Sequence, residues 1–71
     1  MSEQLRQARI RAGVTIEQIA AKSGVSRGTL HRAEKGKEAI NAVNAARIVN
    51  ALNSLAGTSY TPESLNMLVS D

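Results

Sequence analysis

Residues 15–36 read TIEQIAAKSGVSRGTLHRAEKG, and this stretch decides the fold. Thr15 followed three residues later by Gln18 is a capping box, which predicts that a helix begins there. Ser26 is a second N-cap, so another helix is predicted to start directly after it. Gly24 lies at the corner between the two helices, where glycine can take a left-handed conformation that most residues avoid. The spacing therefore predicts two short helices joined by a tight turn, which is a helix-turn-helix.

A first helix is predicted upstream, with Ser2 as its N-cap and Gly13 as its end. Leu5, Ala8 and Ala12 form its apolar stripe at helical spacing. The side chains expected to face the core within the quoted stretch are Ile16, Ile19, Ala20, Val25, Leu30 and Ala33.

Two further helices are predicted downstream. The fourth helix is expected over residues 41–53, followed by a loop over residues 54–60. A last short helix is expected over about residues 61–70, because Thr61 is a cap and Pro62 suits the first helical position. The apolar residues expected to face inward from these two helices are Val43, Ala46, Val49 and Leu52, then Leu65, Leu68 and Val69.

Composition agrees with one small helical domain over residues 1–71. No segment alternates strictly between apolar and polar residues, so strands are not expected, and the prediction is an all-α, compact five-helix bundle. The chain has no cysteine, which excludes disulfides and thiolate metal sites. It also lacks an apolar run long enough to cross a bilayer and an apolar signal region at its start. A cytoplasmic protein with no membrane contact is the simplest expectation.

Positive charge is concentrated in the first three-quarters of the chain. Residues 1–52 hold nine basic and four acidic side chains, a net charge of 9 − 4 = +5. Residues 53–71 hold two acidic side chains and no basic one, a net charge of −2. A basic surface fits a polyanionic partner but is also compatible with simple solvation. Enzymatic activity is not expected, since the chain has one histidine, one aspartate and no paired carboxylates at useful spacing. The lack of stacking aromatic residues disfavours RNA.

The sequence resembles the Cro and phage-repressor type (Xre-like) of helix-turn-helix domain, with its motif at about Thr15 to Lys35. The segments that carry the resemblance are Leu5…Arg9…Gly13-Val14-Thr15, Glu17-Gln18-Ile19-Ala20, Gly24-Val25-Ser26, Thr29-Leu30, Glu34-Lys35-Gly36 and Ala46-Arg47-Ile48-Val49-Asn50-Ala51-Leu52. The resemblance implies a five-helix bundle that binds double-stranded DNA. It also implies, for most members, a homodimer on a palindromic operator. Members commonly act as transcriptional repressors or as the antitoxin of a toxin–antitoxin pair.

In such a domain the second helix of the motif enters the major groove. The residues expected to read bases are Arg27, Gly28, Thr29, His31 and Arg32. Arg27 is the best candidate, because arginine can donate two hydrogen bonds to guanine. Gly28 departs from the family, which often has a long polar side chain at this position. Either the absence of a side chain allows close approach between the helix backbone and DNA, for example a thymine methyl group, or the neighbouring residues determine the specificity. His31 is expected to contact DNA or simply to be exposed; as the sole histidine it cannot form a conventional zinc site.

Contacts to phosphate are expected at helix starts and just beyond the second helix of the motif. The candidates are Thr15, Gln18, Ser26, Lys35, Lys37, Asn41 and Asn44. The family often places a glutamine directly after the Thr15 position, where this chain has Ile16. The resemblance also implies a structural ion pair between Arg9 and Glu34. No cofactor and no metal are expected.

Self-association is expected in the last third of the chain. The apolar candidates are Leu55, Tyr60, Leu65, Met67 and Leu68, which otherwise only close the core of the protomer. Within the same fold, a restriction–modification controller or an antitoxin bound to a toxin or other protein partner are alternatives to a repressor. A different alternative is a protein-interaction module that has lost DNA binding. The basic surface of the second motif helix argues against this alternative.

Overall fold

The computed structural model describes residues 3–70. Its elements are α1 (Glu3–Arg11), α2 (Ile16–Ser23), α3 (Arg27–Lys35), β1 (Ile40–Asn41), α4 (Ala42–Ala56) and β2 (Val69–Ser70). The five-helix prediction is therefore wrong: the described residues form four helices and two short strands. The expected N-cap Ser2 lies outside the described residues.

The caps predicted for the two helices of the motif are confirmed. The amide nitrogen of Gln18 donates to Thr15 Oγ1 at 3.0 Å, and the amide nitrogen of Thr15 donates to Gln18 Oε1 at 2.8 Å. Gly24 ends α2 with φ of 74°, a left-handed conformation. Ser26 Oγ then accepts from the amide of Thr29 at 3.2 Å and starts α3. These local contacts fix where each helix begins and ends before any tertiary packing is considered.

The core contains aliphatic side chains and no aromatic one that is fully buried. Its members are Leu5, Ala8, Val14, Ile16, Ile19, Val25, Leu30, Ala33, Ile40, Ala45, Ile48, Val49, Ala51, Leu52, Leu65 and Met67. Helix α4 packs mainly against α2, and α1 packs against α3. The predicted stripe of α1 is wrong at Ala12, which is exposed and follows the last helical residue.

Two of the side chains expected to face inward from α4 instead face solvent. Val43 and Ala46 are exposed, while Ala45 and Ile48 occupy the core together with Val49 and Leu52. The helix is rich in alanine, so two apolar stripes overlap in its sequence and only one of them can be buried. The helix also continues through residues 54–56, which were predicted to be loop, and ends at Gly57.

The predicted helix over residues 61–70 is also wrong. Thr61 does cap a turn, in which the amide of Ser64 donates to Thr61 Oγ1 and the amide of Thr61 donates to Ser64 Oγ. The turn stops at Asn66, whose φ of 57° is left-handed. The following residues then form an extended segment instead of a helix.

That extended segment pairs with the linker between α3 and α4. β1 and β2 are parallel, with Ile40 opposite Val69 and Asn41 opposite Ser70. The amide of Ile40 donates to the carbonyl oxygen of Leu68 at 2.9 Å. The expectation of no strands was therefore wrong, because pairing of strands so distant in sequence leaves no local signal. The C-terminal segment thereby fixes the start of α4 beside the end of α3.

Candidate nucleic-acid interface

One side of α3 is buried and the other is open. Leu30 and Ala33 are each about 1% exposed and anchor the helix in the core. The exposed side, which we call the α3 face, consists of Arg27, Gly28, His31 and Arg32. Four of the five residues expected to read bases therefore share one solvent-facing surface.

The fifth candidate, Thr29, lies apart from the α3 face. Its side chain is half-buried, and its hydroxyl oxygen accepts hydrogen bonds from Ser26 Oγ at 3.0 Å and Arg32 Nη2 at 3.1 Å. Thr29 therefore acts within the protein as an acceptor that holds Arg32. Ser26, a predicted phosphate contact, is exposed, and its Oγ lies 3.0 Å from Thr29 Oγ1.

Arg27 has a partner that the sequence did not reveal. Its Nη1 lies 3.6 Å from Glu17 Oε2, and the two side chains are 66% and 67% exposed. A pair this exposed contributes little to stability and separates easily. Arg27 is therefore available to another ligand, and Glu17 draws the guanidinium toward α2 when none is present.

The starts of α2 and α4 present polar donors that helix capping leaves unused. Gln18 uses its Oε1 in the capping box, and Asn41 uses its Oδ1 to accept from the amide of Asn44 at 2.7 Å. The amide NH₂ groups of Gln18 and Asn41 are not needed for capping. Donors beside a helix N-terminus suit an anion such as phosphate.

Two clefts border the α3 face at the side chain of Arg32. The first has a volume of about 450 Å³ and is lined by Thr29, Arg32, Glu38, Ala39, Ile40, Asn41, Asn44 and Ser70. The second, of about 230 Å³, is lined by Arg32, Lys35, Lys37 and Glu38. The structure thus brings the candidates Lys35, Lys37, Asn41 and Asn44 around the side chain of Arg32. Glu38 lines both clefts and adds a negative charge beside these predicted phosphate contacts.

Arg9 and Glu34 form an ion pair between α1 and the last turn of α3. Arg9 Nε donates to Glu34 Oε2 at 2.6 Å, and Nη2 donates to Oε1 at 3.2 Å. Arg9 Nη1 also donates to the carbonyl oxygen of Val14 at 3.1 Å. The side chains are only 16% and 8% exposed. Glu34 is consequently neutralised within the protein and adds little negative field at the α3 face.

The five residues expected in a dimer interface have different environments. Leu65 and Met67 are 3% and 9% exposed, so they belong to the core of the protomer and offer no interface. Tyr60 is partly buried against that core. Leu55 and Leu68 remain 40% and 43% exposed. The C-terminal segment therefore first completes the fold, and only part of its apolar surface faces solvent.

A comparison with family models decides the identity of this fold. A family model described as helix-turn-helix matches residues 5–56, which include α1 from Leu5 onward, the whole of α2, α3 and α4, and all of the α3 face. The chain belongs to the helix-turn-helix family. Comparisons with curated proteins and with solved structures found no match.

The helix-turn-helix family is of the Cro and phage-repressor type, which confirms the resemblance noted in the sequence. Its members are DNA-binding transcription regulators, and at this general level that is the function of the chain. β2 lies outside the matched residues, so the strand pairing is a feature that the family comparison does not cover.

Among residues 3–70, no helix is long and apolar enough to cross a membrane. Over the same range, no three His, Cys, Asp or Glu side chains are grouped where they could hold a metal ion.

Proposed function

We propose that this helix-turn-helix protein is a transcriptional repressor that binds a palindromic DNA operator as a homodimer, with α3 in the major groove. The observation that carries this proposal is the α3 face, an exposed strip with two arginines and a histidine on a helix anchored in the core. In this kind of domain the N-terminal part of the second motif helix reaches the base edges.

Arg27 is proposed as the main base-reading residue. It lies at the N-terminal end of α3, and the partner of its guanidinium among residues 3–70 is the exposed Glu17 at 3.6 Å. A bidentate contact to guanine O6 and N7 discriminates against other bases by roughly 1–3 kcal/mol. Arg32 and His31 are proposed to contact the next base pair or a flanking phosphate.

Phosphates are proposed to bind at the two ends of the motif. Thr15 and Gln18 would hold one phosphate at the start of α2, and Asn41 and Asn44 another at the start of α4. Lys35 and Lys37 supply positive charge next to the second position. Such contacts set the register of the protein on DNA and carry no sequence information themselves.

The homodimer is proposed to form through surface that includes Leu55 and Leu68. These are the members of the predicted apolar set that keep substantial exposure, at 40% and 43%. A two-fold symmetric protein binds two half-sites about one helical turn of DNA apart. Selection of bound sequences from a random duplex pool tests this point, because a dimer yields an inverted repeat.

Two substitutions separate base reading from phosphate binding. Arg27→Ala should lower affinity for the selected operator about 10-fold or more and relax the preference at one base pair, with little effect on random duplex. Lys37→Ala should weaken all sequences alike and reduce the slope of log K against log salt concentration by about 1. Both variants are measured by fluorescence anisotropy at several salt concentrations.

Arg11→Ala is a matched control for both variants. Arg11 is an exposed arginine that lines a groove with Tyr60 and Leu65, away from the α3 face. It should leave operator binding within about twofold. If the wild-type protein shows no salt-dependent binding to duplex DNA, the proposed function is wrong. If Arg27→Ala and Lys37→Ala weaken all sequences equally, the base-reading assignment is wrong.

A further inference from the structure

Gly28 is a glycine that the protein itself does not require. Four other glycines, at positions 13, 24, 36 and 57, have positive φ values of 69–74° that strongly favour glycine. Gly28 is not among them and lies inside α3, in right-handed helical conformation. A Cβ atom placed on Gly28 meets no other atom within 4 Å. The fold would therefore accept the methyl group of alanine at this position.

Glycine within a helix destabilises it relative to alanine. A destabilising residue with no internal reason suggests a reason outside the protomer. The two arginines of the α3 face each have a partner within the protein. Arg27 is drawn toward Glu17 on α2, and Arg32 toward the hydroxyl of Thr29. Gly28 therefore presents bare backbone on the α3 face, next to the exposed residues Arg27, His31 and Arg32.

We infer that Gly28 is a specificity-determining residue, at which the backbone of α3 comes into van der Waals contact with a thymine methyl group. This inference rests on the proposed function and deepens it. The C5-methyl of thymine projects into the major groove and distinguishes its base pair there. A bare Cα is an apolar surface that accepts this methyl group closely, whereas any side chain would hold the helix away from it.

The inference predicts opposite effects on stability and on binding. Gly28→Ala should raise the Tm by about 4–8 °C, because alanine favours the helix by about 1 kcal/mol and the domain is small. The same variant should bind the selected operator about 10-fold more weakly, because an added methyl overfills a close contact. Replacing the contacted thymine by deoxyuridine should weaken wild-type binding about three- to fivefold, the effect of one buried methyl group.

The test first selects the preferred operator of the wild-type protein and then replaces each of its thymines singly by deoxyuridine. Ser54→Ala is the control, since Ser54 is exposed in α4 and the substitution also raises helix propensity. It should raise the Tm without changing DNA affinity. The wild-type protein should lose affinity at one thymine per half-site, and Gly28→Ala should show no such loss at that thymine.

The outcomes distinguish the two proposals. If the wild-type protein does not bind duplex DNA, the proposed function fails. If it binds but Gly28→Ala retains full affinity and the same preferred sequence, only the role of Gly28 is overturned. If Gly28→Ala weakens operator and random duplex equally, the close contact is with the phosphate backbone, and the specificity role is likewise overturned. A uniform response to every deoxyuridine also overturns it.

Discussion

The ion pair between Arg9 and Glu34 allows a sharp prediction about stability. The two side chains are 16% and 8% exposed and share two hydrogen bonds, at 2.6 Å and 3.2 Å. Glu34→Leu would leave the guanidinium of Arg9 largely buried, with the carbonyl oxygen of Val14 as its remaining partner among these contacts. Breaking a buried pair from one side destabilises a protein by about 3–5 kcal/mol.

That loss is large relative to the whole protein. For 71 residues, a total free energy of unfolding of about 4–11 kcal/mol is expected. Glu34→Leu and Arg9→Met should each remove about 3–5 kcal/mol, which is between about a quarter and all of the expected stability. The double variant removes both charges and should lie within about 2 kcal/mol of the wild type, the residual loss including the donor to Val14.

Urea unfolding followed by far-ultraviolet circular dichroism measures all four proteins as a double-mutant cycle. A single variant that fails to fold while the double variant folds gives the same answer. The matched control is the exposed pair of Arg6 and Glu3, 3.4 Å apart with side chains 49% and 59% exposed. Arg6→Ala should change stability by less than about 0.5 kcal/mol. Additive losses from Arg9→Met and Glu34→Leu, or losses below about 1 kcal/mol, would refute the argument.

Two further predictions concern the C-terminal third of the chain. Asn53→Ala should destabilise the fold by about 2 kcal/mol in urea unfolding, because the Asn53 side chain makes hydrogen bonds of 2.9 Å to both the amide nitrogen and the carbonyl oxygen of Tyr60. Asn50→Ala is the control, since Asn50 lies one turn earlier and is exposed. Equal losses of stability in the two variants would contradict the prediction. Leu65→Ala should lower the free energy of unfolding by about 2–4 kcal/mol at any protein concentration, since Leu65 is 3% exposed in the protomer core. Leu55→Ala should lower it by less than about 1 kcal/mol, since Leu55 is 40% exposed. A Leu65→Ala variant with unchanged unfolding but altered oligomeric state would show that Leu65 serves an interface instead.

The helix-turn-helix was predictable because its determinants are local. The capping box of Thr15 and Gln18, the left-handed Gly24 and the N-cap of Ser26 each act within a few residues, and the structure has all of them. The exposed side of α3 followed from the same helical spacing once Leu30 was assigned to the core.

The errors arose where local signals were ambiguous or absent. In α4, Val43 and Ala46 have helical spacing as good as that of Ala45 and Ile48, and tertiary packing, mainly against α2, selects the second pair. At the C-terminus, the cap at Thr61 led to the prediction of a helix, but only a turn follows it, because a local cap does not determine how far a helix continues. The pairing of β1 with β2 depends on a tertiary contact, so no local pattern predicts it.

At the α3 face, sequence reasoning predicted which residues are present but not how they are arranged. It could not show that Glu17 lies 3.6 Å from Arg27, or that the hydroxyl of Thr29 accepts a hydrogen bond from Arg32. Both contacts depend on side-chain orientation between neighbouring turns or helices. The spacing of residue types does not specify that orientation.

The position of Leu65 and Met67 bears on how a minimal fragment of this protein should be designed. The family match ends at residue 56, yet both side chains complete the core beyond that limit. A fragment cut at residue 56 would expose the core where they pack and would leave the amide of Ile40 without its acceptor, the carbonyl oxygen of Leu68. The segment that matches the family is therefore shorter than the segment that completes the core. Boundaries for fusion proteins or truncations should include the residues that complete the core.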